Sequence, residues 1–235
     1  MPEEDILGLS KHIGDKHYRA YIGPPDEYDL VSAMSFNLLT ACGLRQHHKL
    51  LDIGCGSLRL GRLLIPYLNT DNYVGLDPNK WLIDDGIRYE VGSSLVELRR
   101  PMFIYDSELG SLDKDIKFDY VIAQSIFSHT APDLLERWIA EVSLRLADQG
   151  VFFATVLEGD VECDRSGWIY PECVEYRLDT VAELAIKYGL KFEILTWYHP
   201  RQTWCALYAP GFKDQLLNAG LPTWNSFGAI HKGST

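Results

Sequence analysis

Short apolar runs alternate along the chain with segments in which apolar residues recur every three or four positions. The runs read as buried strands and the helical periodicity as amphipathic helices, so the alternation predicts strand–helix–strand units around a mostly parallel sheet. Strands are expected in the run that starts at Leu50 and ends in the glycines before Ser57, and at 73–77, 102–105, 118–124, 151–156, 192–198 and 203–208. Asp26, after a Pro-Pro break, can cap a helix carrying Leu30, Met34, Leu38 and Cys42. A second helix opens near Ser57 and buries Leu60, Leu63, Leu64 and Leu68, with Pro66 near its end. Others are expected over 79–90, 133–146 and 179–188. His199-Pro200-Arg201-Gln202 turns the sixth strand back into the seventh, which makes the last strand antiparallel. The pattern divides the chain into a helical N-terminal cap (1–46), an α/β core (47–209) and a tail (210–235) open to use as a lid, an oligomer contact or a loose end. The irregular stretch 157–178 holds Trp168, Tyr170, Pro171 and Tyr176 among acids, and a loop of that length in a compact domain predicts a lid over a substrate.

The first strand ends in Asp52-Ile53-Gly54-Cys55-Gly56. Two glycines one residue apart allow positive φ and let a ligand lie against bare backbone, and the N–H groups of the helix that follows favour a hydrogen-bond acceptor there. Asp77 closes the second strand about 20 residues beyond Gly56, the separation that brings an acid to the ribose hydroxyls of a bound nucleoside. A nicotinamide dinucleotide asks for a third glycine close behind, where this chain has Leu58, Arg59 and Leu60. S-adenosylmethionine instead needs an acceptor for its ammonium group, which Asp52 can supply.

At these residues the sequence resembles the class I S-adenosylmethionine-dependent methyltransferases, over about residues 18–208. Asp52-Ile53-Gly54-Cys55-Gly56 matches the family's first motif, Gly75-Leu76-Asp77-Pro78 its second, and Phe118 to Gln124-Ser125 looks like its fourth-strand motif. The resemblance implies a Rossmann-like seven-stranded sheet, mostly parallel with an antiparallel last strand and helices on both faces, and S-adenosyl-L-methionine as cofactor. It implies that Asn79 and Trp81 sit where family members touch ribose and adenine, and Asp106 where they reach the adenine amino group. Arg59 is a candidate for the methionyl carboxylate.

Charge narrows the acceptor. The chain of 235 residues has 22 Lys and Arg against 33 Asp and Glu, a formal charge of −11, which opposes nucleic acid as a substrate. Five cysteines, odd in number and without a Cys-x-x-Cys pair, suggest reduced thiols rather than a disulfide framework or a zinc site. No run approaches the roughly 18 apolar residues of a membrane span, and the N-terminus is acidic, so a cytoplasmic location is the expectation. No carboxylate cluster fixes a metal. Methyl transfer from a sulfonium requires alignment and exclusion of water, and a hydroxyl acceptor must also lose a proton. His129, after the fourth strand, and His199, in the last hairpin, are candidate bases on that sheet edge. Arg201 could hold an anionic acceptor, and Trp168 and Tyr170 belong to the lid. The reading is O-methylation of a small molecule or saccharide. The alternatives are a nicotinamide-dependent oxidoreductase and a non-catalytic cofactor-binding regulator.

Overall fold

In the computed structural model, which describes residues 5–218 apart from residue 162, seven strands form one sheet. They are β1 (Leu50–Ile53), β2 (Tyr73–Leu76), β3 (Met102–Ile104), β4 (Phe118–Ala123), β5 (Leu146–Val156), β6 (Lys191–Leu195) and β7 (Thr203–Tyr208), in the order β3-β2-β1-β4-β5-β7-β6. β7 runs antiparallel to both its neighbours, and the other pairings are parallel. The helices are α1 (Tyr28–Ala41), α2 (Gly61–Tyr67), α3 (Lys80–Gly86), α4 (Ser93–Arg99), α5 (Pro132–Ser143) and α6 (Leu178–Lys187).

Every residue of β1 and β2 is buried, as expected of parallel strands covered on both faces. Side-chain alternation then sorts the core. Leu51, Ile53, Val74, Leu76, Val121 and Ala123 pack with α5 and α6 on one face. Leu50, Tyr73, Tyr120 and Ile122 pack with α1 and α2 on the other. Asp52 shares the second face, where the Tyr73 hydroxyl donates to its Oδ2 at 2.8 Å. Chain connections diverge on either side of the β1–β4 pair, so a crevice opens at the carboxyl ends of those two strands.

Several boundaries moved. The helix expected from Ser57 begins at Gly61, because Gly56 (φ 51°) and Leu58 (φ 59°) both take left-handed conformations and wind the chain into a turn first. Leu30, expected inward, is 48% exposed on α1. α5 stops at Ser143 and Leu146 already belongs to β5, since that side chain continues the strand's buried face rather than the helix's. The 79–90 segment divides into α3 and a π-helical turn at Ile87–Val91, and α4 was not foreseen. Of the tail, the chain to 218 ends in a short 3₁₀ turn at Asp214–Asn218, and residues 219–235, on which most of the tail expectation falls, lie outside the described residues.

The N-terminal segment is tied to the core by an ion network centred on the buried Arg19 and Glu90 side chains. The Arg19 guanidinium, 6% exposed, bonds Glu90 on the π-helical turn at 2.6 Å and Asp29 on α1 at 3.1 Å, and lies 4.3 Å from the centre of the Tyr28 ring. Arg62 on α2 bonds Asp29 at 2.7 Å and approaches Glu90 at 3.5 Å. Removing one partner of a buried pair leaves the other charge desolvated, so Glu90→Ala should lower folding stability by about 3 kcal/mol in denaturant titration. A double change of Arg19 and Glu90 to apolar residues should cost much less.

Candidate active site

At the crevice lies a cavity of ≈ 440 Å³, within the range of about 300–1,000 Å³ common for small-ligand sites. Its floor is the glycine turn. Gly54 (φ 68°) and Gly56 are both left-handed. A Cβ on Gly54 would collide with Ile126, and one on Gly56 would come within 3.1 Å of Ile22 Cγ2. The cradle therefore requires bare backbone at both positions.

Asp77 ties that turn to β2. Its Oδ2 accepts the Gly56 N–H at 3.0 Å and its Oδ1 the Asn79 N–H at 2.8 Å. The Asn79 side chain also bonds this carboxylate, which keeps lone-pair capacity for a further donor. Burial raises the Asp77 pKa against the pull of these amides. Asp52 is more deeply placed, 5% exposed. Burial pushes its carboxyl up to about 7, opposed by the Tyr73 bond and the Arg59 charge. Among the described residues nothing donates to its Oδ1. Arg59 also lines the cavity, bonded to Gln124 Oε1 and approaching the Ile22 carbonyl at 3.5 Å. Among the described residues no carboxylate lies within ion-pair distance of it, and burial lowers its pKa.

Of the sequence-predicted cofactor residues, Asp52, Gly54, Cys55, Gly56, Arg59, Asp77, Pro78, Asn79, Gln124 and Ser125 all line this cavity, together with His129, Trp168 and Tyr170. Four others do not. Trp81 stands behind the wall, its ring edge-on to Tyr21 at 5.2 Å. Asp106 is turned to the Glu108 N–H, and Ser107 lines the cavity in its place. Arg201 is paired with Glu27 through both guanidinium nitrogens, at 2.9 and 2.7 Å. His199 sits beyond Gln124, 3.1 Å from its amide nitrogen, and its Nδ1 accepts the Arg201 and Gln202 N–H groups. Burial, then the Arg59 and Arg201 charges, lower its pKa to about 4.

His129 is held the other way round. Its Nδ1 lies 2.7 Å from the Glu172 carbonyl, an atom that can only accept, so the proton is on Nδ1 and Nε2 keeps its lone pair. Burial lowers its pKa. Wall residues not singled out from the sequence include Ile22, Ser107 and Ile126. Ile126 was within reach, since it lies in the loop after β4 that the topology aims at the crevice. Tyr21 also lines the cavity, whereas Tyr18 donates to Glu90.

A bare glycine cradle at the end of β1, an acid bracing it from the end of β2 and a reversed last strand form a Rossmann-like sheet of the methyltransferase type. Residues 51–152 match the family model described as a methyltransferase domain. Over that span, less than half of the chain, the protein is similar to methyltransferases. Solved structures share the fold. Magnesium protoporphyrin IX methyltransferase from Synechocystis PCC 6803 with bound SAM is 13% identical, with TM-score 0.61 over 89% of this chain and 99% of that one. A TehB-like SAM-dependent methyltransferase from Corynebacterium glutamicum is 20% identical, with TM-score 0.54 over 77% of this chain and 91% of that one. A putative O-methyltransferase from Nostoc punctiforme PCC 73102 is 16% identical, with TM-score 0.56 over 78% of this chain and 59% of that one. No helix among the described residues is long and apolar enough to cross a membrane.

Proposed function

We propose that the protein is an S-adenosylmethionine-dependent methyltransferase that methylates a hydroxyl oxygen of a small molecule or saccharide, with His129 as the base. The observation that carries this reading is the tautomer of His129: the lid's Glu172 carbonyl holds Nδ1–H, so a cavity-lining imidazole keeps an unprotonated nitrogen. Bound S-adenosylmethionine supplies an electrophilic methyl group on a positively charged sulfur. In this reading Asp77 receives the ribose hydroxyls while continuing to brace the glycine turn. Asp52 receives the ammonium group through Oδ1. Arg59, lacking a carboxylate partner among the described residues, takes the methionyl carboxylate. The donor set fits the cofactor: a free carboxylate oxygen, an unmatched cation and an acid with spare lone pairs line one cavity. His199 and Arg201 act behind the wall, where His199 contacts the Gln124 amide and Arg201 holds Glu27.

Methyl transfer from labelled S-adenosylmethionine to a library of alcohols, phenols and amines tests the reaction class. Hydroxyl acceptors should be used and amines left unmethylated; preferential N-methylation would contradict the reading. The Asp52 assignment has its own pH signature. Its carboxyl must ionise to pair with an ammonium group, so donor affinity should be level above pH 7 and fall about tenfold per pH unit below it. Calorimetry from pH 5.5 to 8.5 reads this directly. Asp52→Asn should flatten the profile, and an unchanged slope in that variant would remove Asp52 from the role.

A further inference from the structure

The lid distributes its charges in a way that selects the acceptor. Arg165 pairs with Glu172, Arg177 with Asp160 and Asp179, and the Thr203 hydroxyl bonds Glu158. Asp133 of α5 accepts the Ser166 hydroxyl and the Gly167 N–H. The lid side chains that line the cavity are the rings of Trp168 and Tyr170, 37% and 38% exposed. The Tyr170 hydroxyl is already committed, donating to the Tyr21 carbonyl at 2.5 Å. Its ring stands 5.4 Å from Tyr21 and 5.1 Å edge-on from His129. Trp168 is held by backbone: it bridges to Thr130, while the flanking Gly167 carbonyl accepts from Ala131 and the Ile169 N–H donates to His129.

Charge within the cavity is one-sided. Asp52, Asp77 and Arg59 belong to β1, the end of β2 and the glycine turn, and among the described residues the lid side adds only His129, which burial biases toward its neutral form. Saccharide recognition needs paired polar groups for vicinal hydroxyls. The amide at this edge, Gln124, is occupied by Arg59, Ser125 and His199. Among the described residues an anionic acceptor would find no free cation beside the rings. What remains is two aromatic rings lining the cavity beside an imidazole that keeps an unprotonated nitrogen.

We infer that the acceptor is an uncharged, planar hydroxylated aromatic, a phenol, seated against Trp168 and Tyr170 with its hydroxyl at His129 Nε2. This rests on the O-methylation reading above and narrows its substrate. As the phenolic oxygen forms its bond to the methyl carbon, the carbon–sulfur bond breaks and its electron pair stays on sulfur. The phenolic proton passes to His129 Nε2 and then to solvent, leaving an aryl methyl ether, S-adenosylhomocysteine and a proton.

The test uses the full chain with 7-hydroxycoumarin as neutral phenol, 4-hydroxybenzoate as charged phenol, and methyl glucoside and methyl glucuronide as saccharides. S-adenosylhomocysteine binding is measured separately by calorimetry. The neutral phenol should be methylated with kcat/KM about tenfold or more above the charged one, with no transfer to either sugar. Trp168→Ala should raise KM for 7-hydroxycoumarin about tenfold at little change in kcat or S-adenosylhomocysteine affinity, and Trp168→Phe should restore it, since a ring face contributes stacking and buried area together. Transfer to a sugar or the charged phenol in preference, no transfer to the phenol while S-adenosylhomocysteine binds, or a KM indifferent to Trp168→Ala would each overturn the inference. Failure to bind S-adenosylhomocysteine at all would instead overturn the donor assignment on which it stands.

Discussion

Asp77→Ala is expected to weaken S-adenosylmethionine binding by about a hundredfold or more, the largest effect on affinity of any single change in the cavity. The substitution removes two functions at once. Hydrogen bonds to a charged group contribute roughly 1.5–3 kcal/mol each, so losing two from the ribose accounts for about two orders of magnitude or more. It also releases the Gly56 and Asn79 N–H groups, which Asp77 holds at 3.0 and 2.8 Å, and loosens the turn on which the donor lies. Asp77→Asn separates the two contributions, because its amide oxygen still braces one N–H while its nitrogen cannot accept. Its loss should fall between wild type and Asp77→Ala. Calorimetric titration of the three proteins, with circular dichroism to verify folding, checks the order. Equal affinities in all three would remove Asp77 from the site.

His129→Gln should lower kcat by about 10²–10⁴, the usual contribution of a positioned general base, while donor affinity stays within about threefold of wild type. The pH dependence follows from the direction of the shift. Burial depresses the His129 pKa below 6.5, so the ring is neutral and able to take a proton at neutral pH. Its contribution is fully present above that value and is lost as pH falls through it. The wild-type kcat profile should therefore show an acid limb below pH 6.5 that is absent in His129→Gln. Changing His199 should leave that limb in place, since its Nδ1 is engaged by two backbone N–H groups and its Nε2 faces Gln124. A limb that disappears with His199 and persists without His129 would reverse the assignment.

The core of this arrangement was legible in the sequence because it is local. The glycine turn, Asp52 before it and Asp77 at the end of β2 are fixed by short-range rules: an apolar run, a residue without Cβ, and the length of a strand–helix–strand unit. The reversed β7 was legible for the same reason, since the hairpin at 199–202 leaves it no other direction. Long-range placement was harder to read. Arg201 follows His199 at the crevice edge in sequence, yet Glu27, far away in the cap, draws its guanidinium aside. Asp106 ends β3 as expected, but turns to its own loop and gives the wall position to Ser107. His129 and His199 are equivalent as letters. Only the partners of their ring nitrogens, a carbonyl at Nδ1 for one and N–H donors at both nitrogens for the other, distinguish them. The late start of α2 was likewise hidden, because a left-handed Leu58 leaves no mark on hydrophobic periodicity.

The most direct test of the donor site is a crystal structure of the full chain with S-adenosylhomocysteine. The account predicts the ribose hydroxyls on Asp77, the ammonium group on Asp52, the amino-acid portion across Gly54 and Gly56, and the sulfur facing the space between His129 and Trp168. A nucleoside bound elsewhere, or bound here with its ribose turned away from Asp77, would contradict it.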